Sequence, residues 1–434
     1  MLCRIPTAGH PKILAQRVFS RFPLHGESAW RPQRLAWVAL LMAWDEGQTL
    51  TARWEHAKQT AQTLHPHWKL GSSYGAFTEG LVGMSPELIA ALKARLRQEV
   101  LALAGPYAKR CRWFALAGDG SRIETPHTAA NEEGLGCAGR EKTAPQVFVT
   151  TFWHMGTGLP WDFRMGPGTS SERGHLAEML SDTPEDCLLV ADAGFAGYEL
   201  LREIIDSKRH FLFRVGGNVT LLTELGFHVE ERDGFVYLWP QDQRHQPPLV
   251  LRLIRLERGK QTIYLISNVL DAGDLSDEEA ATLYEMRWGI EVFYRSYKQT
   301  LDRRKLLSRT PATCLAEAQW TLLGLWLLGL MTVRTLIAQD IDPLQMSVAS
   351  ARDAVRRAMR SVVRGKPHAC QLARDLRAAV RDRYVRRGSK TARNYPRKKR
   401  QKPPGPPKIK PATLPEIQRA KRIREELVSQ RRTA

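Results

Sequence analysis

The chain has 434 residues and a formal charge of +20, a length that allows two or three domains with a substantial core. Residues 351–434 hold 27 of the 65 Lys and Arg but 6 of the 45 Asp and Glu, so this end indicates a polyanionic partner, above all DNA, although RNA or an acidic membrane satisfies the same charge. The six cysteines are scattered without C-x-x-C or Cys/His spacing, which excludes a recognisable zinc site or disulfide framework and favours reduced thiols in a cytoplasmic protein.

Residues 1–105 are predicted to form a helical N-terminal domain. The stretch Leu50–Val82 has the length of a helix–turn–helix unit, in which Ser72–Leu81 would be the helix that reads DNA. A small three-helix packing motif explains the same pattern, so both interpretations stay open. Apolar residues recur at helical spacing in Arg34–Trp44, Leu50–Leu64 and Ser85–Leu103.

Residues 106–345 are predicted to be an α/β catalytic domain. Three strands are followed by alternating helices and strands, which suits a mixed sheet flanked by helices. A β-rich insertion at about 217–267 interrupts this order. Its aromatic residues offer a stacking surface for a DNA base or, as is commoner, fill the insertion's own core; they are Phe235, Tyr237 and Trp239. The predicted strands are 112–118, 146–155, 159–165, 187–191, 210–215, 235–239, 249–256 and 261–266, and the predicted helices are 175–180 and 197–207.

Two aspartates stand at the ends of predicted buried strands. Asp119 follows the apolar run that begins at Arg112, and Asp192 follows the run Leu188–Ala191. Aspartate is unfavourable inside a covered strand, so each acid needs an explanation. Either one alone can be a turn residue or a helix N-cap. If the two strands are neighbours, however, their ends lie roughly 5 Å apart.

A third acid lies within a spaced set of basic and phenolic residues. Tyr284, Arg287, Glu291 and Lys298 have the spacing Y-x2-R-x3-E-x6-K, which at about 100° per residue places all four on one face of a helix. Arg295 joins the same face. Ser276 and Glu279 form a capping-box pattern, so the helix is predicted to begin near Asp277 and to run toward Leu301. An ordinary salt-bridged surface helix can show the same residues.

Taken together, the three acids indicate a metal site. Asp119, Asp192 and a Glu291 brought by a packed helix can hold two divalent cations about 4 Å apart. Carboxylate oxygens favour Mg²⁺ or Mn²⁺ over zinc. Without cations the three acids would repel one another, so the set implies the ions.

The C-terminal part contains one strongly apolar segment and one strongly basic region. Trp320–Val333 is almost wholly apolar but has only about 14 residues where a membrane span needs about 20, so we expect a buried helix and no membrane. Residues 346–434 are predicted to be a basic tail. Within it, the Pro-rich stretch Tyr395–Lys410 is not expected to join a packed core, and Leu414–Arg432 is predicted to be a terminal helix.

Three segments of the chain resemble a known family. They are GDGSRIETPHTAANE around Asp119, VADAGFAGYELL around Asp192 and YEMRWGIEVFYRSYKQTL around Glu291. Over roughly residues 110–335 the chain resembles the DDE transposases of the insertion-sequence-four family, whose catalytic core is RNase-H-like. The resemblance implies that Asp119, Asp192 and Glu291 are the catalytic, metal-binding triad. It also implies that Tyr284, Arg287, Arg295 and Lys298 bind DNA phosphates.

The resemblance implies a biological activity as well. The expected enzyme is a DNA transposase that cuts at terminal inverted repeats and transfers the 3′-hydroxyl ends into target DNA, as a homodimer in the synaptic complex. We expect it in the cytoplasm, associated with the nucleoid. The alternatives are a metal-dependent nuclease and a domesticated DNA-binding protein that has lost its chemistry, although no triad residue is missing here.

Overall fold

A computed structural model describes the chain except for residues 1–15, 21, 23–28, 138–142, 229–231, 233, 260, 366–368, 382–404 and 434. The described helices are α1 (Gln16–Phe19), α2 (Pro32–Trp44), α3 (Leu50–Leu64), α4 (Tyr74–Ala104), α5 (Ala129–Leu135), α6 (Glu172–Leu180), α7 (Tyr198–Asp206), α8 (Asp277–Met286), α9 (Trp288–Arg295), α10 (Pro311–Ile337), α11 (Val348–Val363), α12 (Ala369–Arg377) and α13 (Leu414–Thr433). The described strands are β1 (Ala115–Glu124), β2 (Gln146–His154), β3 (Leu159–Pro167), β4 (Leu188–Ala191), β5 (His210–Val215), β6 (Thr220–Thr223), β7 (Phe235–Leu238), β8 (Leu249–Arg258), β9 (Gln261–Ser267) and β10 (Lys408–Pro411). A π-helix spans Ser296–Thr300.

The chain divides into two compact units. Unit 1 comprises Met1–Ala108, Gly120–Ser171 and Gly289–Asp382, and unit 2 comprises Lys109–Asp119, Glu172–Trp288 and Arg383–Ala434. The segments of each unit are far apart in sequence, so neither corresponds to one continuous predicted domain. The predicted domain boundaries stay a prediction.

Unit 1 is built around the apolar helix α10. This helix packs against α2 and α4 on one side and against α11, α12 and β3 on others, while β2 and β3 form an antiparallel hairpin. The indole N–H of Trp44 donates to the carbonyl of Gly324 at 2.8 Å, where helices α2 and α10 approach closely. By length and hydropathy α10 qualifies as a membrane span, yet 83% of its apolar window is buried inside the protein. It therefore has the environment of a core helix, as predicted.

Helix α4 differs from its prediction. The sequence indicates separate helices over Ser72–Leu81 and Ser85–Leu103, whereas α4 is one helix that begins at Tyr74, capped by Ser73, and continues through Pro86. Proline removes one backbone donor, and here a tertiary contact stabilises the site: the buried Ser85 hydroxyl donates to Leu81 and accepts from the indole of Trp320. The proposed DNA-reading segment 72–81 therefore belongs mostly to a long helix whose apolar side is packed in unit 1.

Unit 2 contains a mixed sheet. Strands β1, β4 and β5 are parallel neighbours, and β9 then joins β5 in antiparallel orientation, followed by β8, β7, β6 and β10. Helix α7 packs against β5, α6 against α7, and α8 against β8 and β4. The predicted β-rich insertion is present, but its strands extend the same sheet because β9 pairs with β5. The side chains of Tyr237 and Trp239 are only 0% and 3% exposed. They therefore pack in the core and do not form an open stacking surface.

The C-terminal end contains a strand that the sequence does not predict. The stretch up to Lys410 is predicted to stay out of a packed core, and the residues of β10 are exposed, yet β10 pairs in parallel with β6, with the amide of Lys408 donating to Val219 at 2.9 Å. An edge strand leaves backbone groups unpaired, and a strand from the tail can satisfy them despite its prolines. Helix α13 follows, and its residues Glu416 and Ala420 are buried. The rest of the predicted Pro-rich stretch up to residue 404 lies outside the described residues.

Candidate functional site

Asp119 and Asp192 lie side by side on neighbouring parallel strands of unit 2. Strands β1 and β4 are paired through to Gly118 and Ala191, and each acid is the next residue of its chain. Neighbouring strands are about 5 Å apart, so the two carboxylates start from adjacent backbone positions. The two strands that carry the predicted acids are therefore neighbours in the sheet.

The prediction that Asp119 ends its strand is wrong. Strand β1 continues to Glu124, whereas Asp192 directly follows the last residue of β4, as predicted. The later part of β1 has pairing of its own, because Glu124 forms a bridge with Lys305 and accepts the amide of Leu306. Asp119 is therefore held within a strand, and Asp192 is the first residue of a turn.

The Asp192 carboxylate is half-exposed and lies beside a phenol and a guanidinium. Its Oδ1 accepts the amide of Ala193 at 2.8 Å and the hydroxyl of Tyr284 at 3.4 Å. Nη1 of Arg214 lies 3.9 Å from the same oxygen, and 45% of the Asp192 side chain is exposed. An anionic oxygen with this exposure and only long contacts to its charged neighbour remains able to bind a cation.

Tyr284 is held as a neutral phenol. Burial raises its pKa above the ordinary value and the charge of Asp192 raises it further, while Arg287 and Arg214 act in the opposite direction. The guanidinium of Arg287 lies 5.3 Å from the centre of the Tyr284 ring, a cation–π contact. At neutral pH the Tyr284 hydroxyl is therefore a hydrogen-bond donor next to Asp192.

The helix that carries the spaced signature is not a single α-helix. The predicted start is confirmed, because Ser276 and Glu279 form both bonds of the capping box. Helix α8 ends at Met286 with Arg287 as its C-cap, α9 begins at Trp288, and the π-helix follows Arg295. A π-turn has more residues than an α-turn, so the ideal 3.6-residue projection does not apply between Glu291 and Lys298.

Buried aromatic residues fix α9 and the π-helix in unit 1. Phe293 and Tyr294 are buried, and the hydroxyl of the buried Tyr297 donates to the carbonyl of Ala318 at 3.3 Å. Glu291 and Lys298 are half-buried, and Arg295 is exposed. Aromatic packing therefore orients this segment and leaves the polar side chains of the signature at its surface.

The seven predicted site residues divide between the two units. Asp119, Asp192, Tyr284 and Arg287 belong to unit 2, and Glu291, Arg295 and Lys298 belong to unit 1. Among the residues that the structure describes, no three side chains of His, Cys, Asp or Glu are gathered as a metal-binding group. Asp119 and Asp192 follow paired residues of β1 and β4, and carboxylate oxygens are the donors that suit Mg²⁺ or Mn²⁺.

The sequence did not indicate one residue that contacts Asp192 and one exposed residue next to Arg287. Arg214 lies in β5, next to β4, and its proximity to Asp192 depends on strand register that a single sequence does not show. A signal was present, because Arg214 interrupts the apolar run His210–Val215. Trp288 follows Arg287 in the signature, and its side chain is 56% exposed, an unusual exposure for so large an apolar residue.

Comparison with known proteins now gives the class of this protein. A family model described as "Transposase DDE domain" matches residues 115–327, a span that contains Asp119, Asp192 and Glu291. The chain is thus a DDE transposase, an enzyme that acts on DNA, and its class generally uses divalent metal ions.

The relatives identify the family more closely. The transposase InsG for insertion sequence element IS4 of Escherichia coli (strain K12) is 26% identical over 322 residues, which cover 69% of this chain and 70% of the relative. Over this span the chain is similar to the transposase of an IS4 insertion sequence. A putative transposase for element IS4SA of Synechocystis sp. (strain ATCC 27184 / PCC 6803 / Kazusa) is 21% identical over 169 residues, 38% of this chain and 47% of the relative. Among solved structures, the piggyBac transposase synaptic complex with hairpin DNA aligns over 87% of this chain and 83% of its own, at 11% identity and a TM-score of 0.39.

Proposed function

We propose that Asp119, Asp192 and Glu291 are the catalytic triad and bind two Mg²⁺ or Mn²⁺ ions for phosphoryl transfer on DNA. The observation that supports this most is the register of β1 and β4, which puts two carboxylates on adjacent strands inside the matched family span. When bound, such ions activate water or a 3′-hydroxyl and stabilise the leaving oxygen. The proposed reaction is hydrolysis at the terminal inverted repeats, followed by joining of the 3′-hydroxyl ends to target DNA.

The residues around the acids have roles that follow from their chemistry. Tyr284 is a neutral donor that can hydrogen-bond a phosphate oxygen as well as Asp192. Arg214 and Arg287 supply positive charge in unit 2, and Arg295 and Lys298 supply it in unit 1. Trp239 is buried and cannot stack on a DNA base, whereas the indole of Trp288 is exposed and can provide such a stacking surface.

Other parts of the chain take the remaining tasks of a transposase. We propose that residues 1–105 contribute to recognition of the element ends and that the basic residues after 350 supply salt-dependent attraction to DNA. Two copies are proposed to hold the two ends in a synaptic homodimer. In the cell, the same charge would keep the protein with the nucleoid.

Cleavage of labelled DNA that carries the inverted repeats flanking the gene tests the triad. With Mg²⁺, the native chain should release cut ends and form joined products. Asp192→Asn and Glu291→Gln should each lower the cleavage rate on the order of 10³-fold, because a metal ligand is lost. The matched control is Glu278→Gln, which removes an exposed carboxylate on α8. This variant should cleave at the native rate.

Two outcomes would contradict the proposal. Native-rate cleavage by the Asp192 or Glu291 variant would remove that residue from the triad. Metal-dependent cutting by the native chain without any joined product would indicate a nuclease instead.

A further inference from the structure

The turn that follows Asp192 accepts hydrogen bonds from the guanidinium of one arginine in helix α6. Arg173 lies in the first turn of α6, and its Nε–H donates to the carbonyl of Gly194 at 2.9 Å. Its Nη2–H donates to the carbonyl of Ala196 at 2.8 Å. Both carbonyls belong to the chain between β4 and α7, so one side chain holds two points of the same turn.

Gly197 completes this contact because it lacks a side chain. A Cβ atom added there would lie 2.5 Å from Nη1 and 3.0 Å from Cζ of Arg173. The guanidinium therefore lies directly against the backbone of Gly197. The φ angle of Gly197 is −163°, an extended conformation that any residue adopts, so the glycine is needed here for space rather than for backbone freedom.

The other end of the turn begins at Asp192. The Asp192 carbonyl accepts the amide of Phe195 at 3.1 Å, and its carboxylate accepts the amide of Ala193. Phe195 is buried, so the middle of the turn is fixed by the core. The Gly194 and Ala196 carbonyls on either side of Phe195 point instead at Arg173. Motion of this turn is thus restrained on one side by packing and on the other by Arg173.

From this geometry we infer that Arg173 is a positioning residue for the reaction: it fixes the Gly194–Gly197 turn and thereby the direction of the Asp192 carboxylate. The inference rests on the proposed role of Asp192 as a metal ligand. Groups that orient a ligand typically change metal affinity or activity by about 10–100-fold when they are lost. Arg173 is itself exposed, so we expect its replacement to change the free energy of unfolding only slightly.

Two substitutions remove the contact in different ways. Arg173→Ala deletes the guanidinium, and Gly197→Ala displaces it while the backbone keeps its extended conformation. Both should raise the Mn²⁺ concentration for half-maximal cleavage by about 10-fold or more, with a smaller change in the maximal rate. Because both act on one contact, the double variant should resemble either single variant. Arg173→Lys, which keeps one donor, should restore part of the affinity.

A second readout does not depend on activity. Electron paramagnetic resonance of the full chain titrated with Mn²⁺ should show weaker binding in Arg173→Ala than in the native chain. Arg202→Ala is the matched control, because Arg202 of α7 also donates to a backbone carbonyl, that of Pro247, and to the hydroxyl of Tyr198, but not to the carbonyls of the Gly194–Gly197 turn. It should leave the Mn²⁺ affinity unchanged.

The outcomes separate this inference from the proposed function. If Asp192→Asn abolishes cleavage while Arg173→Ala has native Mn²⁺ dependence, Arg173 does not position Asp192. An equal shift in Arg173→Ala and Arg202→Ala would also overturn the inference, since it would report general loosening of unit 2. A change confined to DNA affinity would make Arg173 a phosphate contact. Native cleavage by Asp192→Asn would refute the proposed triad itself.

Discussion

The two ends of the sheet in unit 2 are built differently. At one end, β1, β4 and β5 are parallel, and their apolar residues are almost completely buried. At the other end, β6 and β10 have four residues each, and every residue of β10 is exposed. The first end carries Asp119 and Asp192, whereas the second carries the end of the basic region. This difference fits the proposed roles, because the proposed metal ligands Asp119 and Asp192 need a rigid backbone, whereas a strand that only covers the edge of the sheet does not.

The short strand β10 suits an edge. Its sequence KIKP combines lysine and proline, both of which discourage pairing with another chain. It is held by its backbone bonds to β6 and by α13, where Glu416 contacts Arg244 and Arg424 donates to the carbonyl of Gly226. The tail therefore covers the edge formed by β6, and the new edge, β10, is less able to pair with a strand of another chain.

The largest stability effect is expected at the acid-bearing end. Leu189 is 1% exposed and lies between Leu116 of β1 and Phe211 of β5. Leu189→Ala should cost about 2–5 kcal/mol, since it removes buried methyl groups and leaves a cavity. Native-state hydrogen exchange should show this loss for the amides of β4. A change below about 1 kcal/mol would mean that this end is as loosely built as the other.

Much of unit 2 could be predicted from the sequence where local pattern and tertiary structure agree. The bounds of β5 match the predicted strand, and the capping box at Ser276 placed the start of α8 correctly. Asp192 followed its strand as expected because the run Leu188–Ala191 is apolar throughout and ends at the acid.

The missed features depend on contacts between residues far apart in sequence. Beside Pro86, which lies inside α4, Ser85 accepts a hydrogen bond from Trp320 of α10, and β10 pairs with β6, which lies nearly two hundred residues earlier. The π-helix coincides with the burial of Tyr297 against α10. Arg214 required the register of β5. None of these leaves a periodic signal in the residues concerned.

A smaller effect is expected from the ion pair that holds the tail. Glu416 is 4% exposed and contacts Arg244, and it also accepts the amide and hydroxyl of Thr413. Glu416→Ala should lower the free energy of opening of β6 and β10 by about 1–3 kcal/mol, the range for a hydrogen-bonded charged group. Hydrogen exchange should accelerate at Thr220–Thr223 and stay unchanged at β4. Equal acceleration at β4 would show that the two ends open together.

The same carboxylate makes the tail sensitive to acid. Burial alone would raise the pKa of Glu416, but hydrogen bonds from Thr413 and the charge of Arg244 bring it below its ordinary value. A group whose pKa is lowered by folding stabilises the protein above its unfolded pKa, about 4.3, and loses this contribution as the pH falls through its folded pKa. Exchange at β6, corrected for intrinsic rates, should therefore rise below about pH 4.3 in the native chain. Glu416→Ala should lack this component.

The smallest effect is expected from the apolar side chain of β10. Ile409 is 37% exposed, so Ile409→Ala removes only a small amount of buried apolar surface. We expect the free energy of opening of β6 and β10 to change by about 0.5 kcal/mol or less. The backbone pairing of β10 does not involve the side chain, so exchange at β6 should stay close to native. A loss comparable to that of Glu416→Ala would show that the side chain of β10, rather than its backbone and the ion pair, holds the tail. In that case both ends of the sheet would be stabilised by side-chain packing and would differ only in the length of their strands.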